Sequence, residues 1–496
     1  MLSDILIISV ISIYLFSLLW ITLFSFGQLH LACIYSSGKT NPIGTPPPVK
    51  KWPNVTIQLP LYNERYVVRR LLDCMLQIEY PKGQLTIQIL DDSTDDTSSI
   101  IQNFLSENPS TDRKFQHIRR ELRTGFKAGA LAYGMTLTED EYIAIFDADF
   151  LPPRDFLLHA IPHFDSQRIG MVQAKWHHLN ENYSLLTQMQ AFGLNAHFSV
   201  EQMGRHLSGS FMNFNGTGGI WRRRCIEGAG GWNDDTLTED LDLSYRAQLK
   251  GWRFKFVESL ACPGELPVMI PAIKSQQYRW NKGAAESARK HLPGILKSNL
   301  NSKTKIRAVL HLLNSSVFVF LLIAALLSIP MLYLKATNPH LAMIFQVGSI
   351  FLSGFIAIGI FYWISTRANM VKSKQTVYFI RSFPLFMIFS MGLSLHNAIA
   401  IIQGWMGKKT PFIRTPKFNI TEKGQKWNKN HYLSGLKESQ PSLFAELLLA
   451  IYFSFGIWYG LYLHDWGLLL WHIFLALGFY TMSLLSILSL RHASSA

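Results

Sequence analysis

Cysteine and charged side chains are both scarce in this sequence. Only 16% of the 496 residues are charged, whereas 48% are hydrophobic. Soluble enzymes usually carry more charge than this. The four cysteines (Cys33, Cys74, Cys225 and Cys262) show no paired spacing, which argues against both a disulfide framework and a zinc site.

Acidic residues are also few, since 33 Asp and Glu stand against 47 Lys and Arg, a formal net charge of +14. Such an excess is found in proteins that bind nucleic acid. The simpler interpretation is that basic loops lie against anionic lipid. We therefore expect membrane lipid, and not nucleic acid, as the partner of these loops.

Charge is absent from five long stretches, which lie between residues 4 and 39, 307 and 335, 335 and 367, 381 and 408, and 465 and 491. Each holds about the 20 apolar residues that a membrane-spanning helix needs. A sixth apolar run, 443–463, contains only Glu446. Met1–Asp4 lacks the basic residues of a signal peptide and no small-residue cleavage site follows, so we expect a retained anchor.

Between the first two apolar stretches, short apolar runs alternate with helical periodicity. The predicted strands are 55–59, 85–90 and 142–146, and the predicted helices are 64–78, one from 95, and 128–137. This alternation predicts a mainly parallel sheet covered by helices on both faces. Ligands of such sheets bind beyond the carboxyl ends of the strands. Asp91, Asp92, Asp147 and Asp149 follow two of these strands, so we expect all four carboxylates at that edge.

Basic residues and parity predict the orientation in the membrane. The loop 405–440 carries eight Lys or Arg against two Glu, which makes it cytoplasmic by the positive-inside rule. The α/β domain is expected on the same side, and an even number of crossings must connect the two. We therefore predict that 309–334 and 341–365 cross, that the basic stretch 366–382 stays inside, and that 384–404 is interfacial or re-entrant. The hairpin 443–463 and 466–489 completes about five spans.

The predicted organisation is an N-terminal anchor at 1–35, a cytoplasmic α/β domain at 36–298 with an interfacial helix at 270–290, a membrane region at 299–405, a cytoplasmic loop at 406–440 and a C-terminal membrane hairpin at 441–496.

Asp147 and Asp149 form a D-x-D pattern directly after a buried strand. Two carboxylates on such a turn can hold one hard divalent ion and leave its other positions to phosphate oxygens. The same pattern occurs by chance in solvated loops. Its place at a strand end favours the metal site.

Asp91–Asp95 has two compatible interpretations. Asp91 or Asp92 would bind a ribose, a base or the ion, while Thr94 or Asp95 caps the next helix, where such residues are preferred. Lys127, at the start of a predicted helix, either meets phosphate or is a solvated surface residue.

Thr238-Glu239-Asp240 precedes an apolar-periodic helix, 241–249. Acids in a first turn stabilise a helix, and one of them is also placed to act as a general base. The spacing leaves both interpretations open. Gln276–Trp280 lies in the basic amphipathic stretch 270–290, where it fits an interfacial helix with snorkelling cations and equally a site in which Arg279 faces diphosphate and Trp280 stacks on sugar.

Seven motifs follow one another along the chain: Pro60–Glu64, Asp91–Asp95, Lys127–Gly129, Asp147–Asp149, Phe214–Thr217, Thr238–Asp240 and Gln276–Trp280. Their order and spacing resemble those of processive family 2 glycosyltransferases, the cellulose synthase superfamily. The resemblance is close over about 50–295. Phe418–Gly424 looks like the family's F-x-V-T-x-K gating-loop motif, with Ile420 in place of valine. Phe214–Gly219 is most similar to the plant mannan and glucomannan synthases and their bacterial relatives.

This resemblance implies a GT-A fold, a divalent cation (Mg²⁺ or Mn²⁺), and inverting transfer from a nucleotide diphosphate sugar, GDP-mannose or UDP-glucose, to a growing β-linked polysaccharide that the spans pass outward. It implies a multi-pass protein of the plasma membrane, or of the Golgi in a plant-like eukaryote. The implied residues are Asp240 as base beside Glu239; Asp147 and Asp149 for the metal; Tyr62, Glu64, Asp91, Asp92, Lys127 and Asp147 for the donor; Phe214, Asn215, Gly216, Thr217, Gln276, Arg279 and Trp280 for acceptor and diphosphate; and Phe418, Thr421 and Lys423 in the gating loop.

Two other functions are alternatives to polymer synthesis. A non-processive enzyme would move one sugar to a polyprenyl phosphate or a membrane glycolipid, but the Q-x-x-R-W and gating-loop motifs favour processivity. A transporter would only bind nucleotide in its soluble domain. The carboxylates cluster in that domain, and we expect no charged pair or broken helix in the spans. A homo-oligomer or an accessory export protein would fit either enzyme.

Overall fold

The computed structural model describes residues 2–38, 46–109, 113–341, 348–410, 413–425 and 443–494. In this part of the chain a seven-stranded sheet forms. Its strands are Val55–Leu61 (β1), Leu85–Asp91 (β2), Lys114–Arg119 (β3), Tyr142–Ile145 (β4), Ile169–His178 (β5), Gly219–Arg222 (β6) and Arg253–Gly264 (β7).

The strand order is β3-β2-β1-β4-β6-β5-β7. The pairs β1–β2, β1–β4, β2–β3 and β5–β7 are parallel, and only β6 runs antiparallel to its neighbours β4 and β5. The predicted, mainly parallel sheet is confirmed. Since β1, β2 and β4 point the same way, their carboxyl ends share one edge, and the motifs that follow them meet there.

Helices cover both faces of the sheet. They are Val68–Leu76 (α2), Thr97–Glu107 (α3), Phe126–Thr136 (α4), Phe156–Ala160 (α5), Leu185–Ala196 (α6), Gln202–Leu207 (α7), Arg223–Gly228 (α8) and Glu239–Leu249 (α9), with one π-turn at His197–Glu201 between α6 and α7. Leu72 and Phe104 pack in the cluster on one face, and Leu131 and Leu243 in the cluster on the other. Both faces are apolar, so both require cover.

The remaining helices lie beside the α/β domain and include the candidate membrane spans. They are Leu2–Gly38 (α1), Ile270–Lys297 (α10), Ser302–Leu312 (α11), Val317–Thr337 (α12), Leu352–Asn369 (α13), Gln375–Gly392 (α14), Ser394–Trp405 (α15), Leu443–Tyr462 (α16) and Leu469–Ser494 (α17). Helix α1 packs against α12 and α13, α10 against α15, and α16 against α17.

Four helices in the described part are long and apolar enough to span a membrane: Ile5–Gly38, Asn314–Thr337, Leu443–Tyr462 and Leu469–Ser489. A fifth span arises if Lys372–Gly392 and Ser394–Trp405, bent by 49° at their junction, count as one. The bend is compatible with the predicted interfacial or re-entrant character of 384–404. The number agrees with the prediction of about five.

The span predicted at 341–365 and the inside position predicted for 366–382 stay predictions. The segment 341–365 lies partly outside the described residues, and its helix α13 is not among the four, since Arg367 and Asn369 in its last turn are polar. The stretch 366–382, predicted to stay inside, is mostly helical, because apolar side chains continue on both sides of 370–374.

Glu446, the acidic residue of the predicted span 443–463, is paired with a lysine of α10, a helix outside the candidate spans. Lys274 Nζ on α10 lies 2.7 Å from Glu446 Oε1 on α16 and donates to Ser486 Oγ on α17 at 3.0 Å. All three side chains are buried. The amphipathic segment 270–290 therefore does more than lie at an interface, because its buried face packs against the C-terminal hairpin and compensates the Glu446 charge there.

Candidate active site

The D-x-D pair lies just beyond β4, which ends at Ile145. Lys127 Nζ is 2.6 Å from Asp147 Oδ1, and the backbone N–H of Asp147 donates to Thr217 Oγ1 at 2.9 Å. Asp149 forms an ion pair with Lys417. The pair is thus held at the sheet edge by contacts from three distant segments.

The residues present fit a divalent cation that is shared with a bound diphosphate. No group of three His, Cys, Asp or Glu side chains suited to a metal occurs in the described ranges, so the protein alone offers two carboxylates. Asp149 Oδ1 is buried and has no hydrogen-bond partner there, which leaves one oxygen available as a ligand. Hard cations accept carboxylate and phosphate oxygens together.

The Asp91 carboxylate is already saturated by its surroundings. It accepts hydrogen bonds from the Ser93 N–H and Ser98 hydroxyl, and His117 Nε2 lies 2.9 Å away. Burial alone would raise its pKa, but these hydrogen bonds lower the pKa of Asp91 to about 2. Asp91 therefore braces the loop after β2.

Asp92 and Asp95, in the same motif as Asp91, have different surroundings. Asp92 is paired with Arg120, whose Nε lies 3.0 Å from Asp92 Oδ1, and its predicted binding role stays a prediction. Asp95 Oδ1 accepts the Thr97 N–H at 3.0 Å, at the first residue of α3. The Asp95 carboxylate therefore satisfies the first N–H of α3, although Asp96 occupies the N-cap position.

Tyr62 and Glu64, at the end of β1, both meet cations from elsewhere in the chain. The Arg123 guanidinium carbon lies 3.3 Å from the centre of the Tyr62 ring. Arg414 binds the Glu64 carboxylate with two nitrogens. Burial raises the pKa of Glu64, and Arg414 opposes that effect.

Asp240 occupies the first turn of α9, close to the turn at Gly216. A Cβ at Gly216, where φ is +80°, would lie 3.2 Å from Asp240 Oδ2, so glycine allows both the turn and the approach. Burial raises the pKa of Asp240 to about 7, the Glu239 charge raises it too, and Lys127 opposes both. A carboxylate with this pKa is matched to proton transfer near neutral pH.

The segment Phe214–Thr217 connects the D-x-D pair with Asp240. The Phe214 ring is fully buried, and the backbone N–H of Phe214 donates to Ser244 Oγ on α9 at 2.9 Å. Lys127 Nζ donates to the Gly216 carbonyl oxygen at 2.9 Å while it binds Asp147. On balance Asp147 and Glu239 raise the pKa of Lys127 against the effect of burial, so it remains a cation.

Helix α10 brings the Q-x-x-R-W motif to the same place. Gly283 lets this helix approach Thr238 closely. Arg279 Nη2 donates to Thr415 Oγ1 at 2.7 Å and interacts electrostatically with Asp147 and Glu239. Trp280 lines a cavity with Asp240. Gln276 does not line it, whereas its neighbour Gln277 does.

The predicted gating loop, 406–440, is described at 406–410 and 413–425, and the second piece reaches the site through Arg414 and Lys417. Phe418 packs against Val268 and Met269, and its N–H donates to Glu265 Oε1 at 2.9 Å. The Thr421 N–H bonds Gln425 within the loop, and Lys423 is exposed. The remaining predicted loop residues, 411–412 and 426–440, lie outside the described residues.

A cavity of about 880 Å³ extends from this site into the membrane region. Trp176, Asn215, Asp240 and Trp280 line its end in the α/β domain. Its other walls come from the membrane helices, with Phe355 as one of their apolar side chains. The cavity wall is thus polar and aromatic next to Asp240 and largely apolar farther away.

Several site residues have no distinct signal in the sequence. Arg414 and Lys417 lie in a loop whose basic residues indicate orientation, and their carboxylate partners are 350 and 268 residues away. Arg120 and Gln277 were missed as well. Arg120 follows β3 at the same sheet edge as the aspartates. Its position directly after a strand is the sequence feature that could have identified it.

Comparison with known proteins gives a consistent result. A family model described as glycosyltransferase like family 2 matches residues 53–283. Probable glucomannan 4-beta-mannosyltransferase 15 of Arabidopsis thaliana is 39% identical over 54% of this chain, and the match spans only 51% of that protein. Probable glucomannan 4-beta-mannosyltransferase 3 of Oryza sativa subsp. japonica is 32% identical over 83% of this chain and 74% of its own length.

A solved structure shares the fold. It is a mannosyltransferase, PcManGT, from Pyrobaculum calidifontis in complex with GDP-Man and Mn²⁺. The TM-score is 0.54 at 18% identity, over 80% of this chain and 100% of that one. At this identity the similarity concerns the fold alone.

Proposed function

Because this chain belongs to glycosyltransferase family 2, in the branch of the glucomannan 4-beta-mannosyltransferases, we propose that it adds sugars from a nucleotide diphosphate sugar to a β-linked polysaccharide. The position of Asp240 is the observation that carries this proposal. Its carboxylate lies between the D-x-D edge of the sheet and the cavity beside Trp280. A donor and a polymer end can therefore reach one base from two sides.

In the proposed reaction an acceptor hydroxyl attacks the anomeric carbon on the face opposite the diphosphate. The new C–O bond forms as the bond to the diphosphate breaks, so the configuration inverts. Asp240 accepts the proton of the hydroxyl, for which its pKa of about 7 is suited. The negative charge leaves with the nucleoside diphosphate.

The donor side supplies positive charge for that leaving group. Lys127 and Arg279 both interact with Asp147 and would face the diphosphate once donor is bound. A Mg²⁺ or Mn²⁺ ion held by Asp147 and Asp149 would neutralise further charge on the diphosphate. Lys417 and Arg414 occupy Asp149 and Glu64 in this structure, so donor entry requires the gating loop to withdraw.

The acceptor side favours a polymer. An 880 Å³ cavity exceeds the needs of one sugar, and Trp280 at its head offers an aromatic face to a sugar ring. The cavity continues among helices apolar enough to span a membrane. We propose that the chain grows into it and passes outward, with the α/β domain on the cytoplasmic side.

The names of the relatives indicate the sugar. Proteins named as 4-beta-mannosyltransferases for glucomannan support GDP-mannose as donor and a β-1,4-linked mannose product. UDP-glucose remains the alternative donor to be compared directly.

The test uses the full chain reconstituted in liposomes with labelled GDP-mannose or UDP-glucose and Mn²⁺ or Mg²⁺. We expect a long product from GDP-mannose that mannanase digests. Asp240→Asn is the inactive control. A product that is short and extractable into organic solvent would contradict the proposal and favour transfer of one sugar to a lipid. A cellulase-sensitive polymer from UDP-glucose would retain the synthase and change its sugar.

A further inference from the structure

A polar chain that is buried at its Glu201–Arg205 end reaches Asn215, on the proposed acceptor side of the site. It begins in the π-turn His197–Glu201, and such turns occur frequently at functional sites. His197 Nδ1 lies 3.0 Å from Glu201 Oε2, and His197 Nε2 lies 3.1 Å from Asn215 Oδ1. Arg205 donates to Glu201 Oε1 through Nε and Nη2 at 3.2 and 2.8 Å. The four side chains form a continuous line from α7 to the turn beside Asp240.

The inner end of this line is a fixed charge pair. Glu201 is 6% exposed and Arg205 is 5% exposed. Burial raises the pKa of the Glu201 carboxyl, but Arg205 and His197 outweigh it and hold that pKa well below its usual range. An ionised carboxylate only accepts hydrogen bonds. His197 Nδ1 must therefore carry a proton. In the imidazolium form, which the Glu201 carboxylate favours, Nε2 carries the second proton and donates it to Asn215 Oδ1, so the orientation of the ring is set.

The outer end of the line fixes the Asn215 amide. Asn215 Oδ1 also accepts from Asn213 Nδ2 at 2.9 Å, and the Asn215 N–H donates to Gln173 Oε1 at 3.1 Å. With two donors directed at its oxygen, the amide turns its nitrogen the other way. That nitrogen has one long contact, 3.5 Å to the Asn213 carbonyl oxygen, so its donor capacity is largely unused.

Asn215 lies where an acceptor would arrive. The next residue, Gly216, lies against Asp240. Asn215, His197, Asp240 and Trp280 all line the same cavity. A sugar that stacks on Trp280 with a hydroxyl at Asp240 would therefore meet the Asn215 amide on its way in.

We infer that His197, oriented by the Glu201–Arg205 pair, is a positioning residue that holds the Asn215 amide toward the terminal sugar of the acceptor. His197 touches no reacting atom and acts through Asn215. This role rests on the proposed glycosyl transfer. It predicts an effect on acceptor binding that leaves the donor side unchanged.

The experiment is a double-mutant cycle on the reconstituted full chain, with GDP-mannose and soluble β-1,4-manno-oligosaccharides. The acceptor KM, the donor KM and donor hydrolysis are measured separately. His197→Ala and Asn215→Ala should each raise the acceptor KM about tenfold, the loss of one charge-assisted hydrogen bond. The double variant should be no worse than Asn215→Ala, because residues that act through one another are not additive.

Two further variants separate positioning from folding. His206→Gln changes another half-buried histidine, on α7, that does not line the cavity, and should leave the acceptor KM near the wild-type value. If His197→Ala does not fold, His197→Gln enters the cycle in its place. Additive effects, or equal losses of donor hydrolysis and acceptor transfer, would overturn the positioning role alone. No transfer by the wild type to any acceptor would overturn the proposed function, and the positioning role with it.

Discussion

The proposed donor and acceptor halves of the site surround their carboxylates in opposite ways. On the donor half, Glu64, Asp92 and Asp149 each hold a cationic side chain from a distant segment. Hydrogen bonds bring the pKa of Asp91 down to about 2. On the acceptor half, Asp240 has no ion pair within the described ranges, and burial raises its pKa to about 7.

This difference matches the chemistry of each half. A nucleotide diphosphate and a metal ion bring charge of both signs, so a donor site needs carboxylates that stay ionised and can exchange one cation for another. A general base needs a carboxylate that gains a proton at the working pH. The residue type is the same in both halves. The surroundings of each carboxyl group determine which role it can have.

The largest effect should come from removing the base. Asp240→Asn keeps the shape of the side chain and abolishes its proton affinity, so we expect about a 10³-fold loss of kcat with unchanged GDP binding by calorimetry. Asp235→Asn, an exposed carboxylate just before α9, is the matched control. Transfer at the wild-type rate by Asp240→Asn would erase the distinction between the halves.

Removal of the metal should have the next largest effect. Chelation, or Asp149→Asn, takes away charge compensation on the leaving diphosphate, and we expect roughly a hundredfold slower transfer. Excess Mn²⁺ should restore the chelated wild type and not the variant. Full activity in chelator would contradict a metal-binding role for Asp147 and Asp149.

The pH dependence should report Asp240 and not the donor half. Below a pKa of about 7 the base is protonated, so kcat/KM should fall about tenfold per pH unit as the pH decreases and level off above it. Asp91, with a pKa of about 2, stays ionised throughout this window. If kcat/KM does not change between pH 5 and 8 while donor binding stays constant, Asp240 is not the general base.

The smallest effect concerns the loop cation on the donor half. Lys417→Ala frees Asp149 from a competing cation, so the Mn²⁺ concentration for half-maximal rate should fall about fivefold, as for loss of one partly exposed ion pair. Lys409→Ala, an exposed lysine near the start of the same loop, is the control. An equal or higher Mn²⁺ requirement in Lys417→Ala would mean that the lysine assists the loaded site.

The strands that precede the motifs could be predicted from the sequence. The three predicted strands correspond to β1, β2 and β4, because apolar β-branched runs bounded by polar turns have few alternatives. The membrane region was harder. The bend between α14 and α15 and the pair Lys274–Glu446 depend on how helices far apart in the chain pack, and hydropathy does not report that.

The sequence by itself determined the mainly parallel sheet, the order of the motifs and the apolar segments, because each depends on neighbours within a few residues. Tertiary structure decided which carboxylates are saturated, which cations reach them and which one can take a proton. Asp91 and Asp240 are both aspartates beside a predicted helix, yet their pKa values shift in opposite directions. Hydrogen bonds surround one and burial dominates the other, and both conditions arise from chain segments that meet only in the folded protein.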